Sequence, residues 1–311
     1  MSEPSKTWRL IRSPAASGAS NMAVDEAILE SVDDGASAAA LRLYDWSPPC
    51  LSLGYAQEVE DVDLERLRAR GWGLVRRPTG GRAILHADEI TYAVIAPASN
   101  PVFEGGILES YQRLSSALAA ALRGLGVRGH TTAASVRPVE GNSDPICFEN
   151  PGPFEVTFAG RKLIGSAQVR RRSAVLQHGS LPLGGDLGRI CHVLRYQDEA
   201  DRERSVQVLR TRAATLSEIL ARPIGWHEAA TEIQKGFQVA LGILLEEADL
   251  TPTERAAAGR LHAQYADPEW TKARRERPPV VNYGVEEACG LGVAVSREEG
   301  TPAVVSKITS E

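Results

Sequence analysis

A cysteine followed by a lysine-bearing turn forms the part of this chain best suited to covalent chemistry. Cys147 begins the sequence CFENP, and Lys162 follows Gly160 in GRKLIGSAQ. A thiolate attacks carbonyl carbons, and a nearby cation lowers the pKa of a thiol or orients an acyl group. The pair therefore indicates acyl transfer through a thioester. Taken separately, Cys147 is typical of a small buried hydrophobe and Lys162 of a solvated turn.

A second candidate site is the loop RRPTGGRAILH, which runs from Arg76 to His86. Gly80 and Gly81 permit close backbone approach to a ligand, and their N–H groups can hold an anion or a carbonyl oxygen. The flanking arginines supply positive charge. The alternative is a glycine hairpin with solvated arginines and a structural histidine.

Composition narrows the class of protein. The chain has 311 residues, of which 43% are hydrophobic and 24% charged, as in an ordinary globular protein. Its formal net charge of -5 argues against nucleic-acid binding as the main activity. The local run Arg170 to Arg172 is basic, and a solvated bend is the more common explanation of such a run.

The cysteines and histidines show no metal-binding pattern. The four cysteines are widely spaced without a CxxC pair, and the six histidines lack HExxH spacing. The N-terminal residues lack the apolar region of a signal peptide, and we find no apolar stretch of about 18 residues. We therefore expect no metal and a reducing cytoplasm, in which free thiols persist.

The elements that must position these residues follow from hydrophobic periodicity. Strands are predicted at 8–12, 40–44, 50–53 (paired with 40–44), 73–77, 90–96, 154–158, 162–169 and 174–181. Helices are predicted at 21–31, 64–70 (ended by Gly71), 107–125, 202–220, 227–247 and 253–265, the last started by Thr251.

Predicted strands alternate with helices in the first part of the chain, and helices dominate the later part. This order indicates an α/β or α+β fold with mixed, largely antiparallel sheets. The glycine loop matches neither GxGxxG nor a P-loop, so a doubly wound nucleotide-binding fold is not expected. We expect one catalytic domain over residues 1–270 and an appended or mobile tail over residues 271–311.

Several motifs together resemble a known family. They are RRPTGGRAILHADEITY (76–92), CFENP (147–151), the run 160–180, NMAVDEA (21–27) and RLYDW (42–46). This ordered set resembles the lipoate-protein ligase and octanoyltransferase superfamily, and most closely its octanoyltransferases of the Gram-positive type. The resemblance covers about residues 8–270.

The resemblance implies an α+β fold of the biotin and lipoate attachment enzymes. It implies transfer of an octanoyl group from acyl carrier protein to a lysine of a lipoyl domain, such as the glycine-cleavage H protein, without a cofactor. Cys147 would carry the acyl group and Lys162 would lie near its carbonyl. The implied substrate-binding residues are Arg76, Arg77, Thr79, Gly80, Gly81, His86, Gly165, Ser166, Ala167, His178 and Gly179.

Physical chemistry is consistent with these roles. Backbone N–H groups would hold the oxyanion, and Lys162 or His86 would take the proton of the acceptor amine. The apolar residues Ile84, Leu85, Leu163 and Ile164 suit an acyl tunnel. Acyl carriers and lipoyl domains tend to be acidic, so arginines of both basic segments are expected to steer them: Arg76, Arg77, Arg82 and Arg170 to Arg172.

Three alternatives remain from the sequence. An ATP-dependent lipoate ligase of this fold typically has a third loop glycine and a His-Asp pair, whereas Arg82 and Ala87 stand at these positions. An amidotransferase that moves octanoyl between lipoyl domains also uses a cysteine. A catalytically inactive binding module is disfavoured because Cys147 and Lys162 are both present.

Overall fold

The computed structural model describes residues 6–128, 130–132, 156–273 and 293–295. Its largest element is a seven-stranded mixed sheet in the order β12-β1-β2-β6-β11-β10-β13. The strands are β1 (Thr7–Arg12), β2 (Ala40–Tyr44), β6 (Glu89–Pro97), β10 (Gly165–Arg170), β11 (Ala174–Pro182), β12 (Leu244–Glu247) and β13 (Val293–Val295).

Helices cover both faces of this sheet, which explains why β6 is buried along nearly its whole length. Successive side chains of a strand point to opposite faces. Tyr92 and Val94 accordingly pack in one core with α3 (Ile107–Gly124) and α6 (Trp226–Leu241). Ala93 and Ile95 pack in a second core with α1 (Gly18–Asp33) and α7 (Pro252–Ala266).

Two three-stranded sheets complete the sheet structure of the described residues. The first, hereafter the small sheet, has the order β4-β3-β5, with β3 (Cys50–Leu53), β4 (Gly73–Arg76) and β5 (Ile84–His86). The other contains β7 (His130–Thr132), β8 (Val156–Phe158) and β9 (Arg161–Lys162). The shorter helices are α2 (Leu64–Ala69), α4 (Glu199–Arg212), α5 (Leu216–Leu220) and α8 (Pro268–Lys272).

The predicted α+β class with mixed sheets is confirmed. Within the described residues, the large sheet has three parallel and three antiparallel pairs, and the small sheet has one of each. Both pairs of the third sheet are antiparallel. Two predicted helix boundaries are confirmed as well. Gly71 has a φ of 68° just after α2, and Thr251 forms a capping box at the start of α7.

Three sequence predictions about strands are wrong. The predicted partner of β2 is β3, but β2 lies between β1 and β6, and β3 pairs with β4 and β5. The predicted strand 162–169 is divided between two sheets, because Leu163 and Ile164 leave β9 to pack in the core before β10 begins. The predicted helix 227–247 is too long. Gly242, with a φ of 63°, ends α6, and residues 244–247 form β12 instead.

The predicted helix 202–220 is also divided, into α4 and α5. Ala213 and Thr215 are extended, and Thr215 caps α5 with its side chain. The expected domain boundary near residue 270 and the character of the tail remain predictions. The Thr271 carbonyl accepts hydrogen bonds from the buried Arg76 guanidinium, and β13 pairs with β10 in the large sheet.

Candidate active site

A cavity of about 310 Å³ lies between the large sheet and the small sheet. Residues of β10 and β11 in the large sheet, residues of β3 and β5 in the small sheet, and Met22 of α1 all line it. The lining residues are Met22, Tyr44, Trp46, Ser52, Arg77, Ile84, His86, Thr91, Gly165, Ala167, His178, Gly179 and Ser180.

Gly179 permits the close pairing of β10 with β11 beside the cavity. A Cβ at this position would lie 2.7 Å from the carbonyl oxygen of Gly165 and 2.7 Å from Ser166 Oγ. Those distances are too short for any side chain, so only glycine permits this close strand pairing. The missing Cβ would lie on the face of the sheet that carries Ser166 and Tyr92, opposite to Ala167 and His178, so Gly179 borders the cavity with its backbone.

On one side of the cavity lies a set of buried polar residues that we call the Asp25 network: Asn21, Asp25, Arg42, Tyr44, Thr79 and His178. The Asp25 carboxylate accepts hydrogen bonds from Arg42 Nη1 at 2.7 Å and from the Tyr44 hydroxyl at 2.8 Å. His178 Nδ1 lies 3.2 Å from the same carboxylate, and His178 Nε2 lies 2.7 Å from Thr79 Oγ1. The network thereby connects α1 and β2 to β11 and the glycine loop.

The electrostatics of this network determine the protonation of His178. Burial lowers the pKa of His178, and the hydrogen bond and charge of Asp25 only partly offset that effect. Burial by itself raises the pKa of Asp25, but the Arg42 charge and the hydrogen bond with His178 outweigh it, so that pKa lies below its usual value. A neutral His178 therefore donates from Nδ1 to the Asp25 carboxylate and accepts the Thr79 hydroxyl proton at Nε2.

A second set, the His86 network, lies on the small-sheet side of the cavity and comprises Trp46, Ser52, His86, Glu89, Thr91 and Ser180. His86 Nε2 lies 2.8 Å from Ser52 Oγ, and His86 Nδ1 lies 2.8 Å from Glu89 Oε1. The Trp46 ring stacks on the imidazole with ring centroids 3.9 Å apart. Both ring nitrogens of His86 are therefore engaged, and the ring is fixed in orientation.

Arg77 holds the glycine loop against the small sheet. Its Nη2 donates to the carbonyl oxygens of Gly80 at 2.8 Å and Arg82 at 2.7 Å, and its Nη1 lies 3.1 Å from Ser52 Oγ. Gly81 has a φ of 91°, a conformation that favours glycine. The predicted loop is thus an ordered wall in which one arginine satisfies backbone carbonyls.

The prediction that Arg76 and Arg77 are solvated or contact a carrier protein is wrong. The Arg76 side chain is fully buried and donates to the carbonyls of Gly54, Gln57 and Thr271. Arg77 is buried as well. Neither guanidinium reaches the surface, because both satisfy backbone carbonyls that would otherwise be buried without donors.

The structure brings together six of the residues predicted to bind substrate: Arg77, His86, Gly165, Ala167, His178 and Gly179 line the cavity. Thr79 is adjacent through its hydrogen bond to His178. Arg76, Gly80, Gly81 and Ser166 do not line it. Ser166 Oγ instead contacts the Tyr92 hydroxyl at 2.8 Å, because its side chain points to the opposite face of β10 from Ala167.

Of the two residues predicted to be catalytic, only Lys162 is described, and it is not among the described residues that line the cavity. Cys147 lies outside the described residues. Lys162 is only 1% exposed, which corrects the prediction of a solvated turn lysine. The turn itself is confirmed, since Ala159 and Gly160 have φ values of 48° and 77°. Lys162 is buried because its strand continues inward, where its carbonyl accepts a hydrogen bond from Ala214.

The predicted tunnel residues have different surroundings. Ile84 lines the cavity, whereas Leu163 and Ile164 belong to the core beneath α3 and α6. Leu85 lines a second cavity of about 400 Å³ on the outer side of the small sheet. Glu89 lines that second cavity too, so this carboxylate separates the two cavities.

Sequence reasoning missed several site residues, notably Asp25, Trp46, Ser52 and Ser180. Asp25 and Trp46 lie in motifs that supported the resemblance but had no assigned role. A polar Ser52 in the apolar strand CLSL was a usable signal, since buried polar groups in strands require partners. The partners come from distant segments and could not be identified from local pattern.

A metal-binding cluster and a membrane-spanning helix are both absent from the described part of the chain. No cluster of three or more histidine, cysteine, aspartate or glutamate side chains there could hold a metal ion. No helix of the described ranges is long and apolar enough to cross a membrane. The two cysteines described, Cys50 and Cys191, are buried free thiols. Burial raises the pKa of Cys50 to about 12, so it is a poor nucleophile.

Comparison with known proteins supports one family. The sequence profile of the lipoyl protein ligase A/B catalytic domain matches residues 17–238. The octanoyltransferase LipM of Kyrpidia tusciae is 41% identical over 273 residues, which cover 85% of this chain and 98% of that protein. The octanoyltransferase LipM of Moorella thermoacetica is also 41% identical, over 87% of this chain and 100% of that protein.

Solved structures agree on the fold. A bi-partite lipoate protein ligase from Thermoplasma acidophilum superimposes with a TM-score of 0.71 at 26% identity, over 87% of this chain and 98% of that one. A lipoate-protein ligase A bound with ATP gives a TM-score of 0.70 at 24% identity, which shows the fold alone, and covers 86% of this chain and 98% of that one. The chain therefore belongs to the lipoyl protein ligase A/B catalytic domain family, and within it to the octanoyltransferases of the LipM type.

Proposed function

We propose that this enzyme transfers an octanoyl group from octanoyl-acyl carrier protein to a lysine of a lipoyl domain, such as the glycine-cleavage H protein, in the cytoplasm. The observation that carries the proposal is the cavity between the two sheets, in a chain that is 41% identical to octanoyltransferases over nearly their whole length. The cavity would hold the acyl chain.

The walls of the cavity suit an apolar chain despite their polar residues. Within the described residues, no buried polar side-chain atom of this lining lacks a hydrogen-bond partner. His86, His178 and Arg77 are all engaged with protein groups. A ligand hydroxyl would gain little here, whereas each buried methylene contributes about 0.8 kcal/mol. The cavity therefore favours an unsubstituted acyl chain.

The proposed chemistry uses Cys147 and Lys162. The Cys147 thiolate attacks the thioester carbonyl, the carrier thiol leaves, and an octanoyl-cysteine thioester forms. The lysine amine of the lipoyl domain then attacks this second thioester and releases Cys147. Lys162 or His86 would accept the proton of the amine.

Replacing Lys162 tests its proposed role directly. Because Lys162 is buried, Lys162→Ala would lose packing as well as the amine, so Lys162→Met is the better variant. We expect Lys162→Met to fold and to lose transfer by about 10²-fold or more. The matched packing control is Leu163→Met, which should keep most activity. Transfer by Lys162→Met within threefold of the parent would assign Lys162 to the core instead.

Carrier proteins would dock on surface charges. Arg76 and Arg77 are buried and cannot steer a carrier protein. We therefore assign the steering role to Arg82, which is half-buried, and to Arg172, which is exposed. Arg170 and Arg171 have internal partners, the former in Gln168 and the latter in Glu26. We expect Arg172→Ala to slow acyl transfer a fewfold at low ionic strength and to have little effect at high ionic strength.

Two related reactions are tested by donor choice. A transferase modifies an apo lipoyl domain with octanoyl-acyl carrier protein alone, because the thioester is already activated. A ligase requires free octanoate or lipoate with ATP and magnesium, and an amidotransferase requires an octanoylated H protein. The mass of the lipoyl domain after incubation with each donor decides among them. Modification only with ATP and free acid, retained in Cys147→Ala, would contradict the proposal.

A further inference from the structure

One side of the cavity adjoins an apolar core of the protein. Three lining residues, Met22, Tyr44 and Trp46, belong to the apolar cluster that packs between α1, α7 and this sheet. Ile84 on the opposite side belongs to a different cluster, under the small sheet. Met22, Tyr44 and Trp46 therefore form the side of the cavity that adjoins the packed core of α1, and we call this side the end wall.

Hydrogen bonds fix two of these three side chains. The Tyr44 hydroxyl donates to Asp25 at 2.8 Å, and Trp46 Nε1 donates to Thr91 Oγ1 at 2.8 Å. Trp46 is additionally stacked on His86. Met22 has no polar group to anchor, and its thioether side chain is flexible and polarisable. The end wall thus has two rigid members and one that can adapt to a methyl terminus.

The backbone that carries Met22 is nevertheless held in place. Asn21 donates to the Asp45 carbonyl at 2.9 Å, and Asp25 binds Arg42, so residues on both sides of Met22 are anchored. At the start of α1, a Cβ on Gly18 would lie 2.5 Å from Cys50 Sγ, which shows how closely this helix approaches β3. The position of the wall is therefore set by the protein and not by the ligand.

We propose that Met22 sets the length of the acyl chain by closing the end of the cavity. The inference rests on the proposed function in that it places the acyl chain in this cavity. Met22 lines the cavity and is only 1% exposed, so packed protein lies behind its side chain. A chain longer than the cavity must push against a fixed helix in a close-packed core.

Binding of free acids tests the proposal independently of any transfer chemistry. Isothermal titration with hexanoate, octanoate, decanoate and dodecanoate uses the full-length protein. For the unmodified chain we expect affinity to rise about fourfold per methylene up to octanoate and to fall for decanoate. Met22→Ala should reverse the order of the last two, changing the ratio of their affinities by about tenfold or more.

Leu29→Ala is the matched control, because Leu29 is fully buried in the same helix but does not line the cavity. The Leu29→Ala variant should still bind octanoate most tightly. Octanoate remaining the tightest ligand of Met22→Ala, or an equal shift in Leu29→Ala, would overturn the proposal. Should Met22→Ala fail to fold, Met22→Val must shift the preference in the same direction, and an unshifted series would refute the role of Met22.

Transfer is measured in parallel to separate the two proposals. If the protein binds octanoate best but transfers nothing from octanoyl-acyl carrier protein, the transferase proposal is contradicted and the role of Met22 in chain length is supported. A chain that transfers octanoyl but binds all four acids without a length preference contradicts the role of Met22.

Discussion

The two histidines that line the cavity are held by different kinds of network. His178 lies in the Asp25 network, which contains the buried ion pair of Arg42 and Asp25. His86 is held by hydrogen bonds to Ser52 and Glu89 and by stacking on Trp46. Among the described residues, no arginine or lysine forms an ion pair with Glu89.

The difference matters because a buried charge depends on its partner. Loss of Asp25 would leave the Arg42 guanidinium buried without a counter-charge, whereas loss of Glu89 would leave only hydrogen-bond donors without an acceptor. The Asp25 network also connects four segments of the chain. We therefore assign it mainly to the stability of the cavity, and the His86 network mainly to the shape of one wall.

The largest expected effect is that of Asp25→Ala. Removing one partner of a buried ion pair should lower the free energy of unfolding by about 3–5 kcal/mol, measured by urea denaturation. Glu30→Ala in the same helix removes a surface pair with Arg260 and should cost about 1 kcal/mol or less. Similar losses for the two variants would contradict the structural role of Asp25.

Glu89→Ala should have a smaller effect. Its carboxylate accepts from His86 and from Thr91, and a buried donor without an acceptor costs about 1–3 kcal/mol. Solvent entering from the second cavity would reduce that cost, since Glu89 borders it. A loss for Glu89→Ala that exceeds the loss for Asp25→Ala in the same urea experiment would reverse the comparison.

The lowered pKa of His178 predicts a pH dependence of stability. At pH values between the lowered folded pKa and the unfolded pKa of 6.5, His178 is protonated in the unfolded chain but not in the folded protein. The free energy of unfolding therefore has its full His178 contribution above pH 6.5 and falls as the pH decreases below 6.5. The contribution of Asp25, whose folded pKa is also lowered, is lost only below its ordinary value of 3.8.

Melting temperatures between about pH 8 and about pH 5 test this dependence around the ordinary histidine pKa. His178→Gln keeps hydrogen-bonding groups but cannot titrate, and should flatten the decline. An unchanged slope in His178→Gln would contradict the assignment.

The smallest effect is expected for Ser180→Ala. Ser180 Oγ lies 3.2 Å from His86 Nδ1, which already has the closer Glu89 oxygen at 2.8 Å. Its loss should cost about 0.5–1.5 kcal/mol in urea denaturation. A larger cost would show that Ser180, and not Glu89, holds the imidazole.

Local pattern predicted most elements of the fold but not how they assemble. The strand at 40–44 and the helix that begins at Ile107 follow from periodicity within a few residues. The pairing of β2 with β6 and not with β3 depends on contacts between distant segments, which periodicity does not contain. The strand β12 was missed because Leu244 and both glutamates of LLEE are exposed at the edge of the sheet.

The site was predictable where a glycine or a histidine stood in a motif. Gly179 is required by close strand pairing, and His86 and His178 do line one cavity. The partners of these histidines, Asp25 and Glu89, were not predicted as site residues, because a carboxylate becomes recognisable only when folding brings it to an imidazole. Burial of Arg76 and Lys162 was missed for the same reason, since charged residues are buried only when partners are present.

The most direct test of the account is the site of the acyl-enzyme. Full-length protein is incubated with octanoyl-acyl carrier protein, and the modified peptide is identified by mass spectrometry. The account predicts one octanoyl adduct on Cys147 and none in Cys147→Ala, with Cys50 unmodified because its thiol is buried with a pKa raised to about 12. An adduct on Cys50, Cys191 or Cys289 in place of Cys147 would contradict it.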